Sequence, residues 1–217
     1  MKFRKRSIII LIIFLIAVGS VAAFVLVQVK DRTYFHSAPY TPKLDKATDV
    51  LVVYYSRSGN TEAMAREIAR KFDADIVKIK AERYTLDYQG WRNANNDADD
   101  KVTTTEIKPD IVDMSKYRLM FLGSPIWWYR PAPPLWAFVE NNDFHGKNVV
   151  LFNTFNSRFK VEEVEAFQRK IEEKGGRLID HLFIRRGRVY YQKSGRQLIQ
   201  EVQTLLDEKT KEWQNIN

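Results

Sequence analysis

The sequence contains no cysteine. Disulfides, thiol nucleophiles, iron–sulfur clusters and cysteine-ligated zinc are therefore excluded, and so is a cysteine phosphatase on an α/β sheet. Histidine is nearly as scarce: His36, His145 and His181 are scattered with no pairing at ligand spacing, so no metal site is expected. No GxxxxGK is present, hence no ATP-type phosphate loop, and no GxGxxG, hence no dinucleotide fingerprint. Charge imbalance is also missing from most of the chain. Of 35 Lys/Arg and 27 Asp/Glu, seven basic residues and one acid fall within the first 44 positions, leaving 28 against 26 beyond them. That balance gives no reason to expect a nucleic-acid partner.

What is present suits one globular domain of ordinary size: 217 residues, 45% hydrophobic and 13% aromatic. Ahead of it lies a long apolar run. After Lys2, Arg4, Lys5 and Arg6, the segment Ile8 to Val27 is apolar but for Gly19-Ser20, about 30 Å as a helix and enough to cross a bilayer core. Gly19 to Ala23 has the look of a signal-peptide cleavage region, but Phe24-Val25-Leu26-Val27 continues the apolar run. An uncleaved anchor is the expectation. The positive-inside rule places the basic flank in the cytoplasm and the soluble domain outside the cytoplasmic membrane, as a single-pass protein. The expected divisions are a flank at 1–6, a spanning segment at 7–29, an extended linker at 30–48 with Pro39 and Pro42, and a domain at 49–213.

Within that domain strands and helices alternate. Val50 to Tyr55 is a near-continuous β-favouring run, as a strand covered on both faces should be. Thr61 to Phe72 is periodic as a helix, and Asp75 to Lys80 is a short second strand. Residues 81–108 show no periodicity over a polar tract. Strands are then expected at 117–123, 148–152 and 177–184, with helices starting near Pro131, over 161–174 before the helix-stop Gly175-Gly176, and over 194–213. This alternation predicts a three-layer, doubly wound α/β fold with a five-stranded parallel sheet, and ligands at the C-terminal strand ends where the strand order reverses.

Three loops leave those ends with unusual chemistry. Ser56-Arg57-Ser58-Gly59-Asn60-Thr61 joins a strand to a helix N-terminus. Hydroxyls, an amide and uncapped N–H groups converge there on what reads as a site for a terminal phosphate monoester. A plain capped turn is the alternative. Gly123 to Tyr129, with Ser124, Pro125, Ile126, Trp127 and Trp128, supplies aromatic surface. Asn153 to Ser157 supplies polar groups and Phe155. A ligand with a phosphate tail and a flat aromatic head would use all three loops.

With SRSGNT and GSPIWW in place, the chain over roughly 49–206 resembles the flavodoxin family, in particular flavodoxin-like oxidoreductases with a G-[SYT]-P-[IV]-W-W loop. The resemblance implies the strand order 2-1-3-4-5 and FMN as cofactor. It would place Ser56, Ser58, Gly59, Asn60 and Thr61 on the phosphate, together with Arg57 of the same loop. Trp127 would lie against the isoalloxazine, with Ser124, Pro125, Ile126 and Trp128 shaping the pocket. Asn153, Thr154, Phe155, Asn156 and Ser157 would border the pyrimidine edge. Relatives often carry a glycine-containing turn where this chain has Thr154-Phe155-Asn156-Ser157, so Phe155 is a candidate second stacking face. The implied role is electron transfer at the membrane with no catalytic side chain, served by a redox partner protein or by a quinone or nicotinamide donor. The competing expectation is an extracytoplasmic binding domain on the same fold that has lost FMN.

Overall fold

The structure, a computed structural model, describes residues 2–42, 47–188 and 191–214. It divides into two units, one ending at Thr33 and one running from Tyr34 onward. The first is a single helix, α1 (Lys2–Arg32), carrying the apolar stretch Arg6–Leu26, long and apolar enough to cross a membrane.

The second unit is built on the strands β1 (Val50–Tyr55), β2 (Asp75–Ile79), β3 (Leu119–Trp127), β4 (Arg130–Pro131), β5 (Asn148–Phe155) and β6 (Arg177–Arg185). Their order is β2-β1-β3-β5-β6, every neighbouring pair parallel, with the two-residue β4 returning antiparallel on the end of β3. This is the expected five-stranded order with one short strand added. Alternation along β1 sends Leu51, Val53 and Tyr55 to one face and Val50, Val52 and Tyr54 to the other. The first face packs on α3 (Tyr88–Asp99), α4 (Pro133–Asn141) and α5 (Val161–Glu173). The second packs on α2 (Asn60–Phe72) and α6 (Gly195–Gln214). β1 has β2 on one side and β3 on the other, so the chain reverses direction across the sheet there and a crevice opens at the C-terminal ends of β1 and β3.

Three expectations need correction. The patternless stretch 81–108 contains α3, capped by Asp87, whose carboxylate accepts the Gly90 N–H at 2.7 Å. Strands β3 and β5 both run further than expected, to Trp127 and to Phe155, with Ser124 paired to Asn153 and Pro125 to Thr154. The pairing of β1 with β3 ends at Tyr54 and Gly123, so at Pro125 the only strand paired with β3 is β5, and a residue with no N–H to donate is tolerated there.

The third concerns the linker, of which residues 43–46 lie outside the described residues. Its first part is fastened to the domain. The Phe35 N–H donates to the Ser58 carbonyl (2.9 Å), Arg66 donates to the Ser37 carbonyl (2.8 Å), and the Tyr40 hydroxyl donates to the Ala74 carbonyl (3.0 Å). The Tyr34 hydroxyl donates to Glu62, which Lys78 also reaches at 2.9 Å. Burial pushes the Glu62 carboxyl up, but Tyr34, Lys78 and Arg66 together hold it below the usual range. Removing residues 34–42 would strip these partners and the packing of Phe35. A chain starting at residue 45 is expected to be less stable than one starting at 34 by about 3 kcal/mol, the packing of half-buried Phe35 and about 1 kcal/mol per hydrogen bond being partly offset by the entropy of ordering the strap. Urea denaturation of the two chains measures the difference; equal midpoints would show that the strap contributes nothing.

Candidate functional site

The loop between β1 and α2 is shaped by Gly59, which holds φ 85° as the N-cap of α2 and makes no side-chain cap. Only a residue without Cβ takes this backbone cheaply, and an added Cβ would stand 2.0 Å from the Phe35 carbonyl oxygen. The Gly59 N–H is received by the Ser56 hydroxyl at 3.1 Å, which closes the turn. Asn60, Thr61 and Glu62, the first helical residues, have N–H groups that no preceding helical carbonyl can accept, at the positive end of the α2 dipole. The Asn60 amide donates to the Ser58 hydroxyl at 3.0 Å, gathering two polar side chains beside them. Uncapped donors behind a left-handed glycine fit the oxygens of a phosphate monoester.

Other predicted loop residues are occupied in different ways. Thr61 is buried, its hydroxyl 2.8 Å from that of Thr154, which ties the loop to β5. Arg57 donates from Nε to the Thr85 carbonyl at 3.1 Å and so ties the loop to the start of α3. Ser124 is fully buried; its hydroxyl accepts the Ala132 N–H at 3.1 Å, and its carbonyl accepts the Asn153 amide at 2.8 Å. Gly123 serves packing, since a Cβ there would sit 2.0 Å from the Phe152 ring.

The aromatic loop is a hairpin. Ile126 and Trp127 of β3 pair with Pro131 and Arg130 of β4, leaving Trp128 and Tyr129 as the two-residue turn. Both have positive φ, 44° and 70°, the backbone of a type I′ turn that ordinarily takes Asn or Gly. Two side-chain-bearing residues held there cost about 1–3 kcal/mol each, and such strain gathers at ligand sites. Trp127 stands edge-on to Tyr55 (5.6 Å, 88°) and Tyr84 (5.4 Å, 70°), which fixes its ring, while Trp128 is 49% exposed. Beneath the hairpin, buried Arg130 lies over the Trp136 ring at 4.5 Å and 3.3 Å from Glu163, and burial lowers its pKa.

On the third stretch, Asn156 and Ser157 follow the end of β5, Asn156 exposed and Ser157 half-buried. Phe155 is not available as a second stacking face: it is buried against Phe159 (5.5 Å) and Phe183 (5.8 Å). Because β5 is still a paired strand at Thr154 and Phe155, glycines are not needed there.

Two side chains not singled out from the sequence, His181 and Tyr55, join the site's framework. Asn153 donates to Ser124 and receives the His181 Nε2–H at 2.8 Å, a buried polar tie across β3, β5 and β6. Tyr55, the last residue of β1, is 3% exposed and its hydroxyl has no partner among the described residues. Burial pushes this phenol well above its ordinary pKa, so it stays a neutral donor. Its position directly before the loop is the signal that was available. If the hydroxyl waits for a bound ligand, Tyr55→Phe is expected to raise the stability of the ligand-free chain by about 1 kcal/mol, since an unsatisfied buried group is removed. The same change would weaken ligand binding several-fold. A Phe variant that loses stability would show that the phenol is already satisfied.

The scan against family models matches residues 49–187 to flavodoxin. The chain belongs to the flavodoxin family. Solved structures agree with the match. A flavoprotein from Lactobacillus acidophilus NCFM, in complex with FMN, is 26% identical over 63% of this chain and 93% of its own, with a TM-score of 0.54. Proteins assigned as flavoproteins from Bacteroides uniformis ATCC 8492 and Bacteroides eggerthii DSM 20697, each 20% identical over 75% of this chain, share the fold at TM-scores of 0.60 and 0.56 and are covered over 99% and 98% of their own lengths. Among curated proteins none matches. In this flavodoxin, no group of three or more His, Asp or Glu side chains is placed to hold a metal among the described residues.

Proposed function

We propose that this flavodoxin binds FMN at the C-terminal ends of β1, β3 and β5 and transfers electrons while its N-terminal helix holds it at a membrane. The observation that carries the cofactor assignment is the uncapped start of α2 behind left-handed Gly59, at the strand-order reversal. FMN bound to the 26% identical Lactobacillus protein supports the same ligand. When bound, FMN supplies a reversible couple for one or two electrons.

The chain's own part is to bind and orient. N–H groups of Asn60, Thr61 and Glu62 donate to the phosphate, with Ser58 and Asn60 adding side-chain donors and Ser56 and Arg57 holding the loop's shape. Trp127, fixed edge-on by Tyr55 and Tyr84, and exposed Trp128 flank the ring, with Pro125 and Ile126 carrying them into the hairpin. Asn156 and Ser157 offer polar groups to the ring edge, and the Thr61–Thr154 pair joins the phosphate and ring ends of the site. No step requires a side chain to act as acid, base or nucleophile.

Helix α1 acts as an uncleaved anchor, with Lys2, Arg4, Lys5 and Arg6 on the cytoplasmic side and the domain outside the cytoplasmic membrane. Protease added to intact cells is then expected to remove the domain; full protection would reverse the orientation. The purified full-length protein in neutral detergent is expected to show flavin absorbance and to take up added FMN. A colourless chain that takes up none would favour a binding domain on the same fold. Mixing the loaded protein with NADH, NADPH or a quinol in a stopped-flow instrument separates an oxidoreductase from a carrier: reduction by one of them identifies the donor class.

A further inference from the structure

Away from the β2–α3 loop, which holds Glu82 and Asp87, the loops at the C-terminal end of the sheet carry charge of one sign. Residues 50–61, 124–139, 153–160 and 181–200 contain no Asp or Glu. In the last two stretches lie Arg158, Lys160, Arg185, Arg186, Arg188 and Arg196, five of them exposed and Arg186 half-buried. The structure joins these stretches: Arg185 is paired with Phe155 in the sheet, and the Arg186 N–H donates to the Phe155 carbonyl at 2.7 Å. Arg158 and Lys160 sit over the Tyr129 ring at 5.2 and 5.3 Å, so the arc begins at the Trp128–Tyr129 turn. Local acids are mostly spent elsewhere. Asp180 pairs with Lys209, Glu201 with Lys193, and Glu163 with Lys101 and Arg130, leaving Glu162 and Glu165 in the first turns of α5. Along the arc, Trp128 is 49% exposed and Phe183 46%.

We propose that this basic, aromatic arc is the docking surface for an acidic partner protein, one presenting carboxylates around its own redox centre. A domain nearly neutral overall has segregated its positive charge beside the mouth of the cofactor site. Such a field speeds encounter with an anionic partner by roughly 10–10³-fold at low salt and orients it. Arginine, tryptophan and tyrosine are the residues that anchor protein interfaces, which favours a protein over a lipid surface as the occupant. The electron-transfer role of the partner rests on the FMN reading above; the docking surface itself does not.

The test uses the full-length protein in neutral detergent and a fluorescein-labelled 12-residue glutamate peptide as probe, read by anisotropy with and without FMN. The peptide is expected to bind in both states, about tenfold more weakly at 200 mM than at 20 mM salt. The fourfold variant Arg158→Glu, Lys160→Glu, Arg185→Glu, Arg188→Glu should weaken it at least tenfold. A matching set of Gln substitutions, which alters packing equally without reversing charge, should give an intermediate loss. Reversal of Lys2, Arg4, Lys5 and Arg6 should leave binding unchanged. Peptide binding that survives the fourfold variant, or that disappears with the N-terminal reversal, overturns the proposal. So does binding to phosphatidylglycerol vesicles that depends on the arc while the peptide is ignored. A second reading uses the FMN-reduced protein: ferricyanide should reoxidise it more slowly as salt rises, and a cationic cobalt(III) hexaammine more quickly. Each metal complex takes one electron, two being consumed per cofactor, with protons released to solvent. A chain that binds the peptide but never FMN would defeat the cofactor reading and leave the docking surface standing; ferricyanide rates indifferent to salt in an FMN-loaded chain would defeat the surface.

Discussion

Gly59→Val is expected to lower FMN affinity at least about 100-fold while the domain remains folded. The native loop holds φ 85° at this residue, and an added Cβ meets the Phe35 carbonyl oxygen at 2.0 Å. A β-branched side chain in the left-handed region costs roughly 1–3 kcal/mol, and the close approach adds to it. Without ligand, the loop escapes by leaving that conformation, which turns the Asn60 and Thr61 N–H groups away from their common target. FMN then has to restore the strained form, so the cost falls on binding, and about 2.8 kcal/mol is a factor of 100. Gly59→Ala should lose less, about tenfold, because alanine enters the left-handed region more readily than valine. Fluorescence quenching of FMN gives the affinity, and circular dichroism on the same samples confirms the fold. Native-like affinity in the valine variant would mean that the loop does not hold the phosphate.

His181 predicts the other large effect. Its ring is packed against Phe159 and Phe183 and donates to Asn153, and burial lowers its pKa from 6.5 to about 4, against a smaller opposing pull from Asp180. The unfolded chain therefore takes up a proton on this side chain at a higher pH than the folded one. Stability from the neutral ring is complete above pH 6.5 and declines as pH falls toward about 4, below which no more is lost from this group. The loss over that window is on the order of 3 kcal/mol. Glu62 and Asp97, both held below their ordinary range, act in a lower window, below the usual carboxylate values. Urea denaturation at steps between pH 7 and 4 measures the slope. His181→Gln, which can still donate to Asn153, should flatten it above pH 5; an unchanged slope would move the acid sensitivity to another group.

The parallel α/β sheet and the three loops were legible in the sequence because the central strands are strong apolar runs and each loop leaves one, while the strand order came only from the resemblance. α3 was not, and the reason is physical. Its buried face is Gly90, Ala94, Asp97 and Ala98, at helical spacing but made of small residues and one acid. The acid is buried because Arg83 reaches it from Nε and Nη2 at 2.5 and 2.9 Å and the Tyr84 hydroxyl at 2.8 Å, contacts that no periodicity in the polar tract announces. Gly90 likewise looks like a helix breaker until Thr85 is seen lying where its Cβ would be. β3 runs past its expected end at Gly123, because its pairing with β5 continues through Ser124 and Pro125 after the pairing with β1 has ended, which sequence does not reveal.

The site shows the same division. Gly59, Asn60 and the tryptophan pair announced themselves, the first two by their place before a helix and the last by aromatic content in a loop. The hairpin that carries them did not: Trp128 and Tyr129 occupy a turn usually marked by Asn-Gly, and only the backbone angles show it. Phe155 was readable as a stacking face until β6 supplied Phe183 to cover it. Nor did the linker's composition reveal that Phe35 would hold Ser58, because that contact spans 23 positions and depends on where α6 begins, with Phe35 filling the space beside Gly195.

The most direct measurement is a pair of titrations on the purified full-length protein, one with FMN and one with riboflavin, which has the same ring system but no phosphate. If the uncapped start of α2 holds the cofactor's tail, FMN binds at least about 100-fold more tightly, since a charge-assisted phosphate contact contributes about 1.5–3 kcal/mol per hydrogen bond and several are available. Equal affinity for the two ligands, or no affinity for either, would contradict it.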